Sequence, residues 1–194
     1  DYLYTRAATY LEPRGFNMEH CYLIELGELT PKSPDYIAGH TSQQTHDDIA
    51  ELLERLRRRP EIEAVSLSQN SYPYNGSNSG AEVSYDTLRS PGWTIRRLVT
   101  PDFPRVFRYR GTRGETPEQL AEMLERGEFM ASDNLYRKYD RRMTDLVGQR
   151  FYLFGDTTKT YRLGAALQNV RYHDYDQARS SYSVKGRTMT SLRG

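Results

Sequence analysis

Residues 20–26 alternate. Tyr22, Ile24 and Leu26 fall on one face, and Cys21, Leu23 and Glu25 on the other. A period of two predicts a strand. Residues 27–39 carry Pro31, Ser33, Pro34 and Asp35, which is turn chemistry. Over 45–59 the period lengthens. Ile49, Leu52, Leu53 and Leu56 form the i, i+3, i+4, i+7 stripe of an amphipathic helix. Thr45 or Asp47 is placed to cap it, Arg57, Arg58 and Arg59 suit its C-terminal end, and Pro60 stops it. Residues 61–68 then read as a strand through Ile62 and Val65 to Leu67.

Residues 70–92 are polar and read as an insertion. Two strands are expected beyond it, at 94–100 and 106–110. Thr116, Pro117 and Gln119 form the N-cap, first position and capping-box partner of a second helix. Leu120, Met123 and Leu124 supply its stripe, and Gly127 its end. Residues 149–154 and 160–163 are short strand candidates. The order of the central elements is β-α-β-β-α-β, so the expected fold class is α+β, a ferredoxin-like sandwich. It would span 18–143 with the insertion at 70–92. Residues 1–17 would be an N-terminal arm and 144–194 a basic C-terminal extension.

Composition sharpens this picture. The 194 residues suit one domain with arms, and the mean hydropathy of −0.82 is low for a chain packed throughout. Residues 171–194 hold almost no aliphatic side chains and are expected to be ordered only by a partner. No apolar run reaches the roughly 20 residues of a membrane helix, so no membrane partner is expected. No targeting peptide is visible, and a start at Asp1 is compatible with a removed presequence. The single cysteine, Cys21, excludes an internal disulfide framework and a multi-cysteine metal site.

The formal net charge of +1 hides a split. Residues 129–194 hold 12 Lys+Arg against 6 Asp+Glu, and residues 1–128 hold 15 against 20. Arginine outnumbers lysine 23 to 4, and there are 16 tyrosines. Arginine with tyrosine suits phosphate binding, base stacking and protein interfaces.

Catalytic motifs are sparse. His40 and His46 lie six apart, which is not a helical ligand spacing. Neither a P-loop nor a Gly-x-Gly-x-x-Gly occurs, so no metal or cofactor is expected. Tyr36-Ile37-Ala38-Gly39 resembles a Tyr-Ile-Gly nuclease motif, but no arginine follows within 40–54. Phe107-Arg108-Tyr109 suggests the entry strand of an ADP-ribosyltransferase, a chemistry that needs a later glutamate. None follows Glu128. What remains is a cationic sheet surface, with Arg96 and Arg97 on one strand and Arg108 and Arg110 on one face of the next.

One stretch carries a family likeness. Trp93-Thr94-Ile95-Arg96-Arg97-Leu98-Val99-Thr100-Pro101 matches the Trp, Arg, Leu and Pro of a Trp-Gly-x-Arg-x-Leu-Ala-Tyr-Pro strand. Met18–Tyr22 and Thr30-Pro31 precede it, and Ser132–Arg137 follows in order. With its element order, the chain resembles the bacterial and organellar small-subunit ribosomal protein number six. The resemblance implies a non-enzymatic, mitochondrial structural subunit that binds small-subunit rRNA beside ribosomal protein number eighteen. The residues expected to meet RNA are Trp93, Arg96, Arg97, Arg108, Arg110, Arg137, Arg171, Arg179, Lys185 and Arg187. Two rivals remain. One is an RNA-processing endonuclease such as a CRISPR RNA endonuclease, with His40 or His46 as general base. The other is an accessory subunit of another large assembly, such as a phage particle or a respiratory complex.

Overall fold

The structure is a computed structural model that describes residues 9–26, 29–68, 71–75, 79–172 and 177–186. Its centre is a curled, half-barrel sheet of eight strands. The strands are β1 (Ser79–Gly80), β2 (Val83–Tyr85), β3 (Leu88–Arg89), β4 (Ile95–Val99), β5 (Phe129–Ser132), β6 (Arg150–Leu153), β7 (Thr160–Leu167) and β8 (Ser181–Lys185). Their order in space is β1-β4-β8-β5-β7-β6-β2-β3. The pairs β4–β8 and β5–β7 are parallel, and the remaining neighbours are antiparallel. Three helices accompany the sheet: α1 (Ser42–Arg57), α2 (Phe103–Val106) and α3 (Pro117–Glu125).

The ferredoxin-like sandwich expected from the sequence is therefore wrong. Alternation misled at both ends of α1. Residues 20–26 form no strand, and Tyr22, Leu23, Ile24 and Leu26 are exposed. Residues 61–68 make one isolated bridge, Ser68 to Val99. Residues 106–110 are not a strand either. Val106 ends α2 and Arg108 sits in the left-handed region at φ 51°. The alternation there still sorts the side chains, since Phe107 and Tyr109 are buried while Arg108 and Arg110 are exposed.

The sheet is completed by segments that look too polar to enter it. The expected insertion supplies β1, β2 and β3. The expected basic extension supplies β6, β7 and β8. The strand β8 lies between β4 and β5, deep in the sheet. Its composition, Ser-Tyr-Ser-Val-Lys, is tolerated because its polar groups find partners. The Ser181 amide donates to Ser132 Oγ at 2.8 Å, and each backbone edge is paired. Residues 177–186 are thus held by the chain itself, a correction to the expectation that a partner orders them. Of the expected arms, residues 1–8, 173–176 and 187–194 lie outside the described residues.

Two apolar layers sandwich the curl. One gathers Val83, Phe129, Ala131, Leu135, Tyr136, Phe151, Leu153, Leu163 and Tyr182 inside the curve. The other packs Ile95, Val99, Phe103, Tyr109, Leu120, Leu124, Met130 and Leu167 under α2 and α3. The helix α3 forms as the sequence predicts, with Thr116 and Gln119 in a capping box and Leu120 and Leu124 buried. The cap of α1 is Thr41, boxed with Gln44, rather than Thr45 or Asp47. A cap four residues before Thr45 adds a turn before the apolar stripe starts.

Candidate nucleic-acid interface

The chain leaves β5 through a turn and enters a 3-10 helix, Arg137–Tyr139. Asp140 ends it in the left-handed region at φ 53°, which aspartate tolerates better than most residues. Arg141 then returns to bridge Tyr136. The result is a tight loop, Arg137-Lys138-Tyr139-Asp140-Arg141-Arg142, whose side chains are all exposed.

The loop is anchored rather than free. Tyr136 is fully buried, and its hydroxyl donates to the Val83 carbonyl of β2 at 3.1 Å. The Arg89 amide of β3 donates to the Tyr139 hydroxyl at 3.4 Å. Asp133 holds the far end. Its carboxylate accepts from the Thr144 amide at 2.9 Å, the Thr144 hydroxyl at 2.7 Å and Arg142 Nε at 2.8 Å. Burial pushes the Asp133 carboxyl up, but the Thr144 and Arg142 hydrogen bonds outweigh it and hold it below its ordinary value.

The electrostatics favour an anion. Arg89 pairs with Glu82 at 3.4 Å, and Arg142 with Asp133. Among the described residues Arg137, Lys138 and Arg141 have no ion pair, and Asp140 is the only carboxylate within the loop. Lys138 Nζ lies 4.7 Å from the Tyr139 ring centroid. A hydrogen bond from Lys138 also holds the Tyr139 phenol below its ordinary value. Three cations without an ion pair, in one short loop with an exposed ring, are suited to a phosphate chain with bases to stack.

Trp93 follows β3 by four residues. Chain length limits its Cα to about 14 Å from that of Arg89. Its ring rests on Gly80, where an added Cβ would come within 2.8 Å, and the side chain is 79% exposed. A large exposed indole on a backbone platform is a second stacking surface.

The other sequence candidates are dispersed. Arg96 and Arg97 are adjacent in β4 and so point to opposite faces. Arg97 is buried with its guanidinium 4.2 Å from the Tyr172 ring centroid, and Arg171 is buried against the carbonyls of Thr9, Tyr10 and Glu12. Both are corrections, because a side chain enclosed by its own protein offers RNA no surface. Arg108 pairs with Glu63 at 3.4 Å and Lys185 with Glu125 at 2.9 Å. Arg110 and Arg179 are exposed. Arg187 lies outside the described residues.

Of the expected set, Arg137 alone lies in this loop, with Trp93 four residues beyond β3. Lys138, Tyr139, Arg141 and Arg89 join them, and the run 137–142 was the sequence signal for most of these. His40 lies 3.1 Å from Asp48, and His46 3.7 Å from Asp47, on the exposed start of α1. Among the described residues no cluster of His, Cys, Asp and Glu could hold a metal, and no helix is long and apolar enough to cross a membrane. No protein-family model matches the chain, and no curated protein matches it either.

Proposed function

We propose that this chain is a non-catalytic module that binds single-stranded nucleic acid. One observation carries the reading: the anchored loop 137–142 holds Arg137, Lys138 and Arg141 free of carboxylate partners around the exposed Tyr139. The cations would track phosphates, and Tyr139 with Trp93 would stack unpaired bases. Five cations, counting Arg89 and Arg142, stand against three carboxylates, Glu82, Asp133 and Asp140. Affinity is therefore expected to be modest and sensitive to salt.

The finer assignment, a mitochondrial small-subunit ribosomal protein beside rRNA and protein number eighteen, rested on the βαββαβ order together with a set of motifs. With that order gone, its support is the in-order set Met18–Tyr22, Thr30-Pro31, Trp93 to Pro101 and Ser132–Arg137. Co-sedimentation with the small ribosomal subunit would restore it. The broader reading is tested by ultraviolet crosslinking of a bound oligonucleotide. Crosslinks are expected at Tyr139 and Trp93. Crosslinks confined to α1, or none at all, would refute the reading.

A further inference from the structure

We propose that Arg96 and Tyr182, inside the curl of the sheet, hold a phosphate group between them. Arg96 and Tyr182 are register partners on the parallel strands β4 and β8, so both side chains project from the same face. Phe154 fixes where they meet. Its ring centroid lies 5.6 Å from the Arg96 guanidinium carbon and 5.9 Å from the Tyr182 ring. Tyr161 closes the other side of Phe154 at 6.0 Å, and Lys159 Nζ lies 4.7 Å from the Tyr161 ring.

The hydrogen-bonding ledger of this cluster is incomplete in one direction. Tyr182 is fully buried, and its hydroxyl has no hydrogen-bond partner. Arg96 Nε is buried and equally without a partner. An unmet buried donor costs about 1–3 kcal/mol, so native proteins rarely keep two together. Arginine can only donate. Burial pushes the Tyr182 phenol far up, so it stays protonated and able to donate. The cluster therefore suits an acceptor, and among the described residues Arg96 forms no ion pair with a carboxylate.

An acceptor-rich, negatively charged group fits both donors, which describes a phosphate oxygen. The rings of Phe154 and Tyr161 wall the site with apolar surface, which strengthens a charge-assisted bond by lowering the local dielectric. Phe154 is itself held in the left-handed region at φ 65°. A bulky residue there is strained, a feature often found at binding sites. Arg96 is half-buried and reaches solvent, so a rotation of its side chain would admit the anion.

The phosphate could arrive free or on a nucleic-acid backbone. The inference does not rest on the loop at 137–142, which uses different residues. The probe is inorganic phosphate added to the full chain at constant ionic strength, with Trp93 fluorescence and thermal unfolding as readouts. Saturable binding is expected, with Tyr182→Phe weakening it about tenfold and Arg96→Gln abolishing it. Tyr182→Phe is isosteric and should fold. Without phosphate it should be as stable as the wild type or more so, because the orphan hydroxyl is gone. Displacement of phosphate by an oligonucleotide would assign the backbone as source, and its persistence would assign the free ion. Absence of saturable binding, or equal binding by Tyr182→Phe, would overturn the proposal.

Discussion

The Tyr139 hydroxyl accepts the backbone amide of Arg89 at 3.4 Å, fifty residues away in the chain. This contact ties the basic loop to the β2–β3 hairpin. It sets the ring of Tyr139 in place while leaving it 38% exposed. A ring so held is already ordered for stacking. Tyr139→Ala should therefore cost about 1–3 kcal/mol of oligonucleotide binding, the usual worth of one base stack. Tyr139→Phe keeps the ring and should cost less. Fluorescence anisotropy with a labelled single-stranded 12-mer RNA compares the two.

Arg171 serves the fold. Its guanidinium donates to the carbonyls of Thr9, Tyr10 and Glu12 and so ties residues 9–12 to the segment after β7. Arg171→Gln should destabilise the protein by about 2–4 kcal/mol, since three carbonyls lose a charged donor. It should also speed proteolysis within residues 9–17 and leave the salt dependence of nucleic-acid binding unchanged. Thermal unfolding, timed digestion and binding assays check the three parts.

Asp133 makes stability depend on acid. Its carboxyl lies below its ordinary value when folded. Its contribution is therefore complete above the unfolded value of about 3.9 and is lost as the pH falls through the lower folded value. Unfolding midpoints of the wild type should drop steeply below about pH 4. Asp133→Asn should flatten that drop and cost about 1–2 kcal/mol at pH 7. Denaturant titrations from neutral to acid pH measure both.

Gly164 sits in a bulge where β5 and β7 shift register, and an added Cβ would come within 2.5 Å of Glu128 Oε2. Glu128 in turn accepts from Arg162 at 2.6 Å. Gly164→Ala should displace the carboxylate and cost about 1–3 kcal/mol. In a Glu128→Ala background the same substitution should cost less. A double-mutant cycle by chemical denaturation reads the coupling.

Local signals were legible in the sequence, and long-range pairing was not. The helix at Pro117–Glu125 was readable because Thr116, Pro117 and Gln119 act within one turn. The expected strands at 94–100 and 149–154 match β4 and β6, and the expected 160–163 is the first half of β7. The segment 20–26 has a better strand pattern than β8, yet it stays unpaired while β8 is central. Pairing depends on which edge is available, and a single segment does not encode that. The apolar residues left over, with Leu52, Leu53 and Leu56 of α1, line a groove of ≈ 560 Å³ instead. At the candidate interface, only Arg137 of the run at 137–142 was singled out, as the last residue of the family-like segment Ser132–Arg137. Arg97 and Arg171 show why charge alone misleads. A tyrosine face or a set of carbonyls can take an arginine into the interior, and nothing in composition announces it.

The salt dependence of RNA binding tests the central claim most directly. The wild type is compared with the triple variant Arg137→Gln/Lys138→Gln/Arg141→Gln, using a single-stranded 12-mer. A control variant, Arg55→Gln/Arg57→Gln, removes cations that are already paired with Glu51 and Glu54 on α1. The account predicts that the triple variant loses affinity and that its slope of log K against log salt is shallower by about 2, from three phosphate contacts at about 0.7 each. The control should match the wild type. Equal affinity and equal slope for the triple variant, or no binding by the wild type at low salt, would contradict the account.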